Sequence, residues 1–130
     1  MRFFITLEDY SEKVREGIIK ETSNIVLIDY AMQSINPKDR AAVAMNINTS
    51  ELRLKILSTD RDIEVRRAVL YNKKTSGKII DKMLKDDETF GYENLIVNHP
   101  NVHKETLERY VKCHNNESLK IKAQQRLMYM

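Results

Sequence analysis

An eleven-residue pattern recurs in this chain at an offset of 26, and that recurrence limits the fold more than any other feature. Residues 40–50 read Arg-Ala-Ala-Val-Ala-Met-Asn-Ile-Asn-Thr-Ser, and residues 66–76 read Arg-Arg-Ala-Val-Leu-Tyr-Asn-Lys-Lys-Thr-Ser. Arg40 falls on Arg66, Ala42 on Ala68, Val43 on Val69, Asn46 on Asn72, Thr49 on Thr75 and Ser50 on Ser76. A further 26 residues carry Asn72 onto Asn98, and Thr22-Ser23 precedes Thr49-Ser50 by 27. Later parts of the pattern match at 27, where Ile79, Ile80, Met83 and Leu84 fall on Thr106, Leu107, Tyr110 and Val111. Their spacing of i, i+1, i+4 and i+5 is that of a helix buried on one face.

Each repeat reads as a first helix, a break at Asn-x-x-Thr/Ser and a second helix. A Thr or Ser at the break can cap the second helix, because its hydroxyl accepts from the free N–H groups of the first turn. Asp62 and Ser118 read as N-caps of first helices, and Pro37 suits the first turn of one, where its missing N–H costs little. The pattern predicts helices near 9–20, 23–34, 37–46, 50–59, 63–72, 76–86, 90–98, 102–113 and 117–128. Each is too short to hold alone in water and must be stabilised by stacking on its neighbours. The expected fold is all-α, an α-α superhelix of about four to five helix pairs forming one domain over residues 1–130. Residues 1–8 are expected to act as an N-terminal cap, with Phe3–Leu7 folded over the first pair.

The run from Asp62 to Ser76 resembles the variant leucine-rich repeat and its HEAT-like relatives, whose units read roughly Asp-x-x-Val-Arg-x-x-Val-Ala-x-Asn-Pro-x-Thr-Pro. The likeness is strongest over residues 36–76, weaker over 90–128, and covers about three quarters of the chain. It departs from the pattern at Asn46-Ile47 and Asn72-Lys73, which lack the proline. The family's iron–sulfur variants use an N-terminal cysteine cluster, which a single Cys113 does not supply. The resemblance implies a fold, and a tendency to bind other macromolecules.

Composition narrows the class further. Gly is 3 and Pro is 2 in 130 residues, too few for the many tight turns of a sandwich or barrel. Cys113 is the only cysteine, so no internal disulfide forms and a reducing, cytoplasmic location is expected. The apolar run Phe3-Phe4-Ile5 is too short for a secretory signal, and no apolar stretch reaches the length of a membrane span. Ile, Lys and Asn together make up 36 residues, a bias that fits an AT-rich prokaryotic or phage genome. Net charge is +3, with residues 1–60 at −1 and residues 61–130 at +4.

The surface feature that stands out is a column of cations. Lys55, Lys82 and Arg109 are spaced by 27 and 27, Lys85 and Lys112 form a second pair at 27, and Lys78 lies four residues before Lys82. Were second helices to stack in register, these six side chains would share one face. In HEAT-like folds that face is generally the concave, partner-binding one. A solvated Lys-rich surface is the plainer explanation, and Glu105 and Glu108 partly neutralise the column. His99, His103 and Cys113-His114 match no zinc spacing, and Pro100 keeps the first two off one helical face. Both histidines are expected to flank a loop, and Cys113 to be a partly buried thiol. Asp86-Asp87-Glu88 reads as a solvated loop rather than a catalytic cluster. No cofactor and no metal are expected. The leading expectation is a non-catalytic module binding a protein partner through its second helices. A phage or mobile-element accessory protein that inhibits a host defence enzyme is one version. Nucleic-acid binding through the cationic column is the alternative. A DNA-base glycosylase on a HEAT-like fold is a more distant one, disfavoured by the absence of Trp.

Overall fold

The computed structural model describes residues 7–86 and 91–130. Among these, a single 3-10 turn (Leu7–Asp9) precedes nine α-helices, and there is no strand. The helices are α1 (Glu12–Glu21), α2 (Ile25–Met32), α3 (Pro37–Met45), α4 (Glu51–Leu57), α5 (Ile63–Tyr71), α6 (Gly77–Lys85), α7 (Glu93–Asn98), α8 (Lys104–Cys113) and α9 (Glu117–Leu127). The all-α expectation therefore stands, and each expected helix is present. The chain divides into two compact units, Met1–Asn72 and Lys73–Met130, with the boundary inside the break between α5 and α6.

In the first unit, α3 packs against α1, α2, α4 and α5, and α4 also packs on α5. Ile19, Val43 and Val69 each lie three residues before a helix C-cap and are fully buried. In the second unit, α7 packs against α6 and α9, and α8 packs on α9. There Ile96 and Val97 of α7 and Ala123 of α9 are fully buried. Second helices follow one rule in both units. The fourth residue after the N-cap is buried (Ile28, Leu54, Ile80, Leu107), and so is the seventh (Ala31, Leu57, Met83, Tyr110). Three residues apart on a helix, they form one inward stripe. Each large apolar side chain so buried contributes about 1.5–3 kcal/mol.

The repeated asparagine has a structural task. It is the C-cap of a first helix, and its side-chain amide holds the carbonyls that end the preceding first helix. Asn46 Nδ2 donates to Ile19 O and Thr22 O, both at 2.7 Å, while its Oδ1 accepts from the Asn48 N–H at 2.8 Å. Asn72 Nδ2 donates to Ala44 O at 2.9 Å and Asn46 O at 3.0 Å. Buried carbonyls without a partner are costly, so these amides are fixed parts of the core. In the second unit the cap residue is not Asn98, which is exposed and bonds to Asn94 within its own helix. It is His99, one residue later, whose Nδ1 accepts from the Asn101 N–H at 3.0 Å. Arg126 of α9 then makes the grip, Nη1 donating to Val97 O at 2.7 Å and His99 O at 2.8 Å.

Several expected caps move by a residue or two. Ser50 and Ser76 cap their helices as expected, but the Thr49 hydroxyl turns inward and donates to Val43 O at 2.7 Å. Asn24, not Thr22 or Ser23, caps α2. Asn116 caps α9 where Ser118 was expected, because Ser118 already lies in the first turn. Asp62 and Pro37 stand where expected. Of the expected N-terminal cap, Leu7 is buried, and residues 1–6 lie outside the described residues. Cys113 is exposed rather than partly buried.

Candidate partner-binding face

The N-caps of the second helices, Asn24, Ser50, Ser76 and His103, set a common count along α2, α4, α6 and α8. Side chains at the second and sixth positions lie four apart and point away from the buried fourth and seventh. In α2 they are Val26 and Tyr30, in α4 Leu52 and Ile56, in α6 Lys78 and Lys82, in α8 Glu105 and Arg109. On this count Lys82 and Arg109 are equivalent, as are Lys85 and Lys112 at the ninth position. Lys55 is not part of that set. It occupies the fifth position, one residue or about 100° around the helix, because the caps of α4 and α6 are separated by 26 and not 27.

In the second unit Lys78, Lys82, Lys85 and Lys112 are exposed, and Arg109 is half-buried. These cations do not form a bare column. Asp81, at the fifth position of α6, accepts from Thr106 Oγ1 at 2.6 Å and Arg109 Nη1 at 2.6 Å, and pairs with Lys85 Nζ at 3.1 Å. Burial alone would raise the Asp81 carboxyl, but the Thr106, Arg109 and Lys85 hydrogen bonds outweigh it and hold the group at about 2. Two of the expected cations are thus tied to a carboxylate, and α6 is locked to α8. Lys78, Lys82 and Lys112 make no ion pair among the described residues.

The first unit shows a different surface at the same positions. Val26 is 78% exposed, Tyr30 52%, Leu52 68% and Ile56 55%. Between them runs a two-point ion pair, Arg53 Nε to Asp29 Oδ1 at 2.6 Å and Arg53 Nη2 to Asp29 Oδ2 at 3.0 Å, which joins α4 to α2. The Asp29 carboxyl is held below its ordinary value by that hydrogen bond. Lys55 stands exposed beside this group. These four apolar residues are absent from the expected site. Their signal was in the sequence: Val26/Leu52 and Tyr30/Ile56 repeat at 26, and α4 reads Glu-Leu-Arg-Leu-Lys-Ile-Leu, more apolar than one buried stripe needs.

Elsewhere in the first unit a cleft of about 480 Å³ is lined by Arg15, Tyr30, Ser34, Ile35 and Asp39 among others. Its charges are already engaged, since Asp39 accepts from Arg15 Nε at 2.8 Å and Ser34 Oγ at 2.7 Å, and Tyr30 donates to Glu8. His99 and His103 flank the loop before α8, as expected. Among the described residues no three His, Cys, Asp or Glu side chains are placed to hold a metal. Of the acidic run, Asp86 ends α6 and is exposed, while Asp87 and Glu88 lie outside the described residues. No described helix is long and apolar enough to cross a membrane. No family model matches the chain, and no curated protein or solved structure is significantly similar to it.

Proposed function

We propose that the chain is a short HEAT-like solenoid that works as a non-catalytic protein-binding module. Its partner-binding surface is the outward face of the second helices, and its partner is an acidic protein segment that also carries apolar side chains. The repeated caps and buried stripes support the solenoid reading. The observation that carries the function is the exposure of Val26, Tyr30, Leu52 and Ile56 at equivalent positions. Scattered exposed apolar residues are ordinary, but a repeated set on one face is what a docking surface requires. At the same positions of α6 and α8 the cations Lys78, Lys82 and Arg109 outnumber the one carboxylate, Glu105, and favour an acidic partner, which would be steered to them at low salt.

A pull-down from the source cell tests this with three baits: the native chain, Leu52→Glu/Ile56→Glu and Lys82→Glu. A protein held by the first bait and lost from the other two, with direct binding reproduced by the purified pair, is the expected result. A bound protein retained equally by all three would contradict the reading. Nucleic-acid binding is tested on the same proteins. The interleaved Glu105, Glu108 and Asp81 oppose a phosphate backbone, so weak, non-specific retention on DNA is expected. Tight DNA binding with a steep salt dependence that Lys82→Glu flattens would favour the nucleic-acid reading instead.

A further inference from the structure

We propose that in the chain alone the apolar face of the first unit is covered by the same face of a second copy, across a two-fold axis. This rests on the docking role given to that face and adds its regulation, since a protein partner would dock there only at the expense of the dimer. α2 and α4 follow one count from their caps, and the Asp29–Arg53 pair joins them side by side. In both helices exposed apolar side chains stand at the second and sixth positions, Val26 and Tyr30, Leu52 and Ile56. The fourth position, Ile28 or Leu54, is buried midway between them. A two-fold axis crossing both helices at that level sets each antiparallel to its own copy, and it carries the second position onto the sixth. Val26 then packs on Tyr30 of the second copy, and Leu52 on Ile56 of the second copy. Because Val26/Leu52 and Tyr30/Ile56 share the offset of 26, one axis serves both helices.

The charges obey the same axis. Arg53 is third in α4 and Asp29 is fifth in α2, and their bond places both where the two helices meet. The two-fold carries third onto fifth, so each Arg53 meets Asp29 of the second copy and the two pairs close into a ring of alternating charge. Both groups can take the extra bond. The Asp29 side chain is 50% exposed, and its carboxylate has lone pairs beyond the two that Arg53 occupies. Arg53 Nη1 donates to Ser50 Oγ at 3.1 Å, and each Nη carries a second N–H. On the outer edge of α4, Glu51 and Lys55 are exposed. Lys55 comes within two residues of level with Glu51 of the second copy, about 3 Å along the helix, which the two side chains span. Asp29 and Glu51 balance Arg53 and Lys55, so α2 and α4 have no net charge to hold two copies apart. The Tyr30 hydroxyl donates to Glu8, which leaves the ring for contact. Four apolar and four charged side chains a side fall short of the roughly 20–30 residues of a standard interface. The dimer is therefore weak, with a Kd on the order of 10–100 µM, and a tighter partner displaces it.

Sedimentation equilibrium on the purified full chain tests this without any partner. The native chain is expected to show a reversible monomer–dimer equilibrium, and Leu52→Glu/Ile56→Glu to weaken it about a hundredfold. Asp29→Arg and Arg53→Asp should each weaken it about tenfold, because each sets like charges face to face across the axis. Mixed in equal amounts, these two variants carry opposite charges at the facing positions, and they should pair with each other about as tightly as the native chain pairs with itself. General apolar stickiness gives no such rescue. The proposal is overturned if the native chain stays monomeric up to ~1 mM. It is equally overturned if Leu52→Glu/Ile56→Glu associates like the native chain, or if the mixture associates no more tightly than either variant alone. Should either variant not fold, Glu51→Lys and Lys55→Glu, both at exposed positions, take their place in the mixing experiment with the same two outcomes. A monomeric native chain that still captures a protein through Leu52 and Ile56 would sink the dimer and leave the docking role standing. A dimer that captures no protein would do the reverse.

Discussion

The two units share a plan and differ in what they do with it. Both bury the fourth and seventh residues of their second helices, and both tie one first helix to the previous one through a side chain on backbone carbonyls. At the outward positions they part. The first unit places Val26, Tyr30, Leu52 and Ile56 there, and the second places Lys78, Lys82, Glu105 and Arg109. At the caps the first unit uses Asn46 and Asn72, and the second uses His99 and Arg126. Positions facing inward are constrained by the backbone they must satisfy, so the task is kept even where the residue changes. Positions facing outward carry no such constraint and are free to differ.

The largest expected effect breaks the caps. Asn72→Ala deprives Ala44 O of its side-chain partner and Asn46 O of one of two, the Thr49 N–H at 3.0 Å remaining, and a loss of about 2–3 kcal/mol is expected in urea unfolding. Arg126→Ala removes a similar pair of bonds from a half-buried side chain that water can replace, so about 1 kcal/mol is expected. Equal losses would mean that the two grips are energetically alike. Two glycines sharpen the contrast. A Cβ on Gly77 would stand 2.6 Å from the Asn101 carbonyl oxygen and closer still to the His103 ring, whereas one on Gly17 meets nothing within 4 Å. The ring is exposed and can swing away, but the carbonyl cannot, so Gly77→Ala should cost about 2 kcal/mol. Gly17→Ala, inside α1, should stabilise by about 0.5–1 kcal/mol. Thermal melts of the two variants should shift in opposite directions.

Acid separates the ion pairs. The Asp81 carboxyl, held at about 2 in the fold, is below its ordinary 3.8. Its stabilisation is present above pH ~4 and lost as pH falls from there towards 2. The partly exposed Arg109 and Lys85 reduce the effect through screening, so about 1–2 kcal/mol is expected. Thr106→Val, which removes one donor, should flatten acid unfolding in that range. The smallest effect belongs to the exposed Arg53–Asp29 pair, where Arg53→Ala should change urea stability by less than about 0.5 kcal/mol.

Much of this architecture was legible in the residues. The match of Arg40 to Arg66 and Asn46 to Asn72 placed the breaks, and apolar spacing placed the helices within a few residues. Arg40 and Arg66 even repeat a bond, each donating to a carbonyl six residues earlier, Ser34 O at 2.6 Å and Asp60 O at 2.7 Å. What failed was register by identity. Asn98 looks like the third cap because it is an asparagine, yet one added residue shifts the task to His99, and the chemistry that matters is an acceptor atom rather than a residue name. The same error of one residue put Lys55 in line with Lys82. The apolar face was missed for a different reason. Hydrophobic periodicity identifies the buried stripe, and extra apolar residues beside it read as more core until the structure shows that they are exposed.

The most direct test of the difference between the units is the salt dependence of binding to the captured protein, measured for the native chain, Leu52→Glu/Ile56→Glu and Lys82→Glu. If the apolar face and the cationic face both engage an acidic partner, Leu52→Glu/Ile56→Glu should weaken binding about a hundredfold at every salt concentration. Lys82→Glu should weaken it about tenfold at low salt, with a shallower salt slope. Affinity and slope unchanged in both variants would contradict the account.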